Sequence, residues 1–128
     1  MKKLLLLLLF SLQLFAASIF WHDSYKDALE EAQEENKPFM IYFSQAGCKA
    51  CEMMEDYVLN EDSVTQYLDE HYICAHLDIH DNDVPKALKV PYTPVFHFLD
   101  KDGNLIKESY VGGTKASNFL KIIQLPKK

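Results

Sequence analysis

Phe39-Met40-Ile41-Tyr42-Phe43-Ser44-Gln45-Ala46-Gly47-Cys48-Lys49-Ala50-Cys51 is the most informative stretch of this chain. Five apolar residues lie between Pro38 and Ser44-Gln45-Ala46-Gly47, the length and flanks of a strand buried on both faces. Such strands belong to a sheet covered by helices. From Cys48 to Leu59 the composition turns helical, so the two cysteines fall where a buried strand ends and a helix begins. The two-residue gap places both sulfurs at one helix N-terminus, where unpaired N–H groups and the helix dipole favour a thiolate. Cys48, first and most exposed, is expected to ionise below the pKa of a free thiol. Cys51, one turn on, can attack a mixed disulfide formed at Cys48 and release the partner, which is the minimum apparatus of thiol-disulfide exchange. Lys49 adds nearby positive charge, and Glu52, Glu55 and Asp56 oppose it from further away.

Competing readings of the pair are weaker. A four-cysteine zinc site needs a second C-x-x-C, and the chain offers only a lone Cys74, so no metal is expected. A purely structural disulfide would close a very small loop and gain little from unfolded-state entropy.

Upstream, residues 24–36 carry Tyr25, Ala28, Leu29 and Ala32 at helical spacing, with Asp23 or Ser24 as N-cap and Asn36-Lys37-Pro38 as the stop. Downstream, residues 63–71 place Val64, Tyr67 and Leu68 on one helical side, and residues 72–79 read as a second strand. Asp81-Asn82-Asp83 precedes a short helix through Leu88, which Val90-Pro91-Tyr92-Thr93-Pro94 cannot continue. Residues 95–99 and 105–111 flank Asp100-Lys101-Asp102-Gly103-Asn104 as an antiparallel hairpin. After Gly112-Gly113, residues 115–125 form a closing amphipathic helix. The order is α, β, α, α, β, short α, β, β, α in one domain, an α/β architecture.

This series resembles the thioredoxin fold, specifically the exported thioredoxin-like proteins. The resemblance rests on Phe39-Met40-Ile41-Tyr42-Phe43 leading into Gly47-Cys48-Lys49-Ala50-Cys51, then Leu77-Asp78-Ile79, Val90-Pro91-Tyr92-Thr93-Pro94-Val95-Phe96, Leu99-Asp100-Lys101-Asp102-Gly103 and Gly112-Gly113. It implies a central mixed sheet with helices on both faces, ending in a β-hairpin and a helix. It also implies that Pro94 is a cis proline packed beside a redox-active Cys48-Cys51 disulfide, and that Thr93 offers backbone groups to an extended segment of a partner. The chain departs from cytosolic thioredoxins, which have Trp before the first Cys, Gly-Pro between the pair and a buried Asp six residues upstream. Gly47, Lys49-Ala50 and Tyr42 stand at those positions. With that carboxylate missing, Glu52, Glu55, water or the partner must accept the proton of the second cysteine.

The N-terminus reads as an address. Lys2-Lys3, seven apolar residues from Leu4 to Phe10, and a small-residue end at Ala16-Ala17-Ser18 have the three-part layout of a secretory signal. Residues 1–17 are expected to be removed near Ala17 or Ser18, leaving 18–128 as a single periplasmic or otherwise exported domain; an uncleaved anchor is the alternative. The 128 residues hold 13 Lys+Arg, all of them Lys, against 19 Asp+Glu, a net charge of −6. Without Lys2 and Lys3 the balance is 11 against 19, or −8, which argues against a nucleic-acid partner.

Cys74 alternates with core positions and reads as a small buried hydrophobe. His71, His76, His80 and His97 are expected to be solvated or capping, and Glu30-Glu31-Glu34-Glu35 to be the wet face of the first helix. Met53-Met54 is expected to pack, although soft ligands beside the cysteines raise copper binding as the rival function. The leading expectation is a monomeric exported thiol-disulfide oxidoreductase. Cys48 attacks, Cys51 resolves, Thr93 and Pro94 dock the substrate, and Lys49 and Gly47 support the site. Its partners are cysteine-containing exported proteins and a membrane or soluble dithiol electron donor, and its chemistry requires no bound cofactor. The resemblance favours the reducing direction.

Overall fold

Ser24 opens the first helix, α1 (Tyr25–Glu35), by accepting the Asp27 N–H at 3.1 Å, and Asn36 closes it in the left-handed conformation. The computed structural model describes residues 18–127, so the expected leader, 1–17, lies outside the described residues. Ahead of α1 runs a strand absent from the sequence reading, β1 (Trp21–His22). Two residues show no periodicity, and pairing with a distant strand is what orders them.

The remaining elements are β2 (Phe39–Ser44), α2 (Lys49–Tyr57), α3 (Asp62–His71), β3 (Ile73–Asp78), β4 (Val95–Leu99), β5 (Tyr110–Val111) and α4 (Ala116–Ile122). They build one mixed sheet of order β1-β3-β2-β4-β5. β1 and β2 run parallel to β3, whereas β4 is antiparallel to both β2 and β5. β2 is therefore central, and its alternating side chains supply two cores. Phe39, Ile41 and Phe43 pack with Tyr25, Ala28 and Ala32 of α1, while Met40 and Tyr42 pack with Cys51, Met54, Phe96 and Phe119.

Two expectations need correction. The short helix expected to follow residues 81–83 and run through Leu88 is a single 3₁₀ turn, Lys86–Leu88. The carboxylate that should cap that helix serves α1: Asp83 Oδ2 accepts the Tyr25 N–H at 2.9 Å and the Lys26 N–H at 3.4 Å. The hairpin's return strand is likewise shorter than 105–111, consisting of Tyr110–Val111 and an isolated bridge between Leu99 and Leu105. Between these, Lys107 reaches the carbonyls of Ile122 and Gln124 and lies 4.4 Å from the Phe98 ring, while Ser109 turns to His97. Those side-chain bonds draw the segment off the ladder.

The turn of this hairpin sets a local requirement. Gly103 has φ +86°, and a Cβ there would lie 2.6 Å from the Tyr25 hydroxyl oxygen. Gly103→Ala is expected to cost about 1–3 kcal/mol, read as a lower urea midpoint at unchanged slope.

Candidate active site

β2, the central strand, ends at Ser44, and Gly47, with φ +79°, turns the chain into α2. A Cβ at Gly47 would meet open space, so the demand is conformational rather than steric. Cys48 is the N-cap of α2, and its sulfur accepts the Cys51 N–H at 3.2 Å. The two cysteines form a disulfide with 5.2 Å between Cα atoms. Cys48 is half-buried and Cys51 only 2% exposed, while Lys49 between them is exposed. The pair is thus asymmetric: one sulfur can be approached from solvent and the other only from within.

The Thr93-Pro94 peptide is cis, with Thr93 half-buried and Pro94 buried. Gln45, three residues before Cys48, donates from Nε2 to Thr93 Oγ1 at 3.1 Å. Gly112 N–H donates to the Pro94 carbonyl at 2.9 Å, and a Cβ at neighbouring Gly113 would lie 3.7 Å from that of Ala50. Three segments therefore frame the disulfide: the start of α2, residues 90–94 and residues 111–114. They carry three exposed hydrophobic residues, Met53, Tyr92 and Val111, and Tyr57 at the far end of α2 is a fourth. Met53 and Tyr57 also line an apolar cavity of about 340 Å³ with Val58, Thr114, Lys115 and Ala116.

Met54 is fully buried, and its sulfur accepts the Thr114 N–H at 3.3 Å. That thioether is occupied by the loop beside the disulfide. Among the described residues no group of three or more His, Cys, Asp or Glu converges as a metal site. Cys74 is free and buried, and desolvation pushes its thiol up, away from the thiolate.

Tyr42, Glu55 and Gln45 complete the surroundings of the pair. Tyr42 Oη donates to Glu55 Oε2 at 3.1 Å and lies 3.4 Å from the Cys51 carbonyl oxygen. Burial and the adjacent Glu55 carboxylate push the Tyr42 phenol up, so it remains a proton donor throughout the ordinary pH range. Its ring stacks on His76 at 4.5 Å and on Phe96 at 5.0 Å. Glu55 shares a cavity of about 230 Å³ with Trp21, Tyr42, Leu59, Asn60 and His76. Gln45 gave no sequence signal; Tyr42 was visible as a departure, and Glu55 as one carboxylate among several.

The histidines are not uniformly solvated. His97 is buried, with Nε2 2.8 Å from the Leu88 carbonyl and Nδ1 2.6 Å from Ser109 Oγ. A carbonyl can only accept, so Nε2 carries the proton of the neutral ring and Nδ1 accepts from Ser109. Period-2 inward placement on a strand buried on both faces is the reason the expectation of solvation fails for His97. His76 is half-buried against Tyr42, with Nε2 2.6 Å from Ser44 Oγ, and His22 pairs with Glu31, so that acid is not simply a wet-face residue.

Burial lowers the His97 pKa, so the unfolded chain binds that proton more readily than the folded one. The stability linked to neutral His97 is present above the unfolded histidine pKa of about 6.5 and is lost as pH falls through it towards the folded value. Urea midpoints are expected to drop between about pH 7 and pH 5, with a shallower drop in His97→Gln.

Comparison with known proteins agrees with this geometry. The thioredoxin-like domain family matches residues 25–125. A thioredoxin from Thermus thermophilus is 27% identical, with a TM-score of 0.69 over 82% of this chain and 84% of that one. The oxidised C-terminal domain of DsbD from Neisseria meningitidis is 25% identical, with a TM-score of 0.65 over 80% of this chain and 96% of that one. The Mus musculus protein spermatogenesis-associated protein 20 is 30% identical over 68 residues, 52% of this chain but only 9% of that relative's length. With the mixed sheet, the cysteine pair at the start of α2 and a match from residue 25 to residue 125, this chain belongs to the thioredoxin-like domain family.

Proposed function

We propose that this chain is an exported thiol-disulfide oxidoreductase that exchanges Cys48-Cys51 with cysteine-containing proteins. The observation that carries the reading is the asymmetric pair at a helix N-terminus, with Cys48 accessible and Cys51 buried one turn later. In the reduced protein the Cys48 thiolate is stabilised by the Cys51 N–H and by the positive end of α2. It attacks one sulfur of a partner disulfide, and the partner's other sulfur leaves as a thiolate. Cys51 then attacks Cys48 of the mixed disulfide, restoring the intramolecular bond and releasing the partner reduced. A dithiol protein, soluble or membrane-bound, reduces the pair again.

Thr93 and Pro94 dock the partner, Gly47 and Lys49 support the attacking sulfur, and Met53, Tyr92 and Val111 give the partner an apolar surface around it. Residues 1–17 direct export and are removed, and residues 18–128 act as a monomeric domain. The likeness to thioredoxin favours the reducing direction. Equilibration of the pair with glutathione tests this: a reductant has a potential well below about −200 mV, whereas one near the −120 mV of a strong oxidant reverses the assignment.

A further inference from the structure

Gln45, which the exchange step itself leaves unused, joins the attacking cysteine to the docking segment. Its carbonyl accepts the Cys48 N–H at 3.3 Å, and its Nε2 donates to Thr93 Oγ1 at 3.1 Å. Two further bonds close the frame on its other sides: Gly112 N–H to the Pro94 carbonyl at 2.9 Å, and Thr114 N–H to the Met54 sulfur at 3.3 Å. A series of hydrogen bonds thus runs from Cys48 through residues 93–94 and 112–114 back to α2, and the bond from Gln45 to Thr93 is its one link between two side chains. Gln45 and Thr93 are both half-buried, so the link is partly shielded from water yet within reach of a partner lying across the disulfide.

A threonine hydroxyl has one proton to donate and lone pairs with which to accept. Because Thr93 Oγ1 accepts from Gln45, its own proton stays uncommitted: among the described residues the Thr93 side chain makes no other hydrogen bond. Pro94 has no N–H, so of this docking pair only Thr93 can donate to an extended segment lying beside it. A main-chain carbonyl of such a segment can only accept. We infer that Gln45 is a positioning residue for partner docking, holding the Thr93 hydroxyl as a donor to a main-chain carbonyl of the partner's cysteine-bearing segment. This rests on the exchange reading above and deepens it. Every cysteine in a protein is flanked by main-chain carbonyls, so the link favours peptide disulfides over small ones without selecting a partner sequence. A glutamate in place of Gln45 would take the Thr93 proton for itself, and an apolar residue would leave the hydroxyl unset.

The test compares the rate constants with which the reduced full-length protein attacks two disulfides: insulin, and dithiodipyridine, which has no peptide segment to dock. The readout is the ratio of the insulin constant to the dithiodipyridine constant. In Gln45→Met this ratio should fall about threefold to tenfold, the worth of one hydrogen bond. Thr93→Val should lower it by a similar factor, and the double variant should lie no lower than Thr93→Val alone, because both changes remove the same link. Gln45→Glu should lower the ratio as far as Gln45→Met, since taking the ratio cancels the effect of the added charge on the Cys48 thiolate. A wild-type ratio in Gln45→Met or Gln45→Glu, or losses that multiply in the double variant, would overturn the assignment and leave the exchange reading intact. Failure of the wild type to attack either disulfide would overturn the exchange reading itself, and the docking role with it.

Discussion

Cys48→Ser is expected to reduce disulfide exchange by about a thousandfold or more, because serine supplies no thiolate at neutral pH and the buried Cys51 cannot be approached in its place. Cys51→Ser should behave differently. The accessible Cys48 still attacks, but nothing resolves the product, so the protein accumulates as a mixed disulfide with its partner. Non-reducing electrophoresis distinguishes the two: a higher-mass adduct sensitive to dithiothreitol in Cys51→Ser, and none in Cys48→Ser. If the adducts appeared equally in both variants, the division of labour between the two sulfurs would be wrong. Cys74 cannot substitute in either variant, since it is buried in β3 and its thiol is held protonated.

Phe96→Ala is the substitution expected to cost most in stability. The ring is fully buried on β4, stacked on Tyr42 at 5.0 Å and tilted against Phe119 of α4 at 4.8 Å. Removing it leaves a cavity that the central sheet cannot close without moving α4, at a cost of about 3–5 kcal/mol. That is a large share of the 5–15 kcal/mol by which domains of this size are usually stable. Because Phe96 also supports the Tyr42 ring, the loss should reach the site, disturbing the bond to Glu55 before global unfolding. Urea unfolding followed by circular dichroism measures the first effect, and the rate of disulfide exchange measures the other. Phe96→Leu, which keeps most of the volume, should cost much less.

The parts legible in the sequence were those with a long, regular signal. β2 could be read as doubly buried because five apolar residues lie between turn-formers, and the two cores on its faces follow from that. The cysteine pair was legible because its spacing fell at a strand-to-helix junction. β1 was not, because two residues carry no period and gain their order from β3. The short helix expected after residues 81–83 is cut to one 3₁₀ turn because Asp83 caps α1, 58 residues away from its Tyr25 partner in sequence, and no local rule contains that contact. Glu55 could be named only as one of several candidate acceptors. Its bond to the Tyr42 hydroxyl could not be read there, because strand-to-helix packing is a tertiary fact.

The central claim is that Cys48 and Cys51 are a reversible pair that exchanges with other proteins' disulfides. Its most direct test gives the reduced protein a substoichiometric amount of a disulfide-bonded protein such as insulin, quenches with an alkylating reagent at intervals, and counts modified thiols by peptide mass. The expected result is loss of alkylation at Cys48 and Cys51 together, with matching thiols appearing in the substrate and the state of Cys74 unchanged. Substrate thiols failing to appear while Cys48 and Cys51 remain fully alkylated would contradict it.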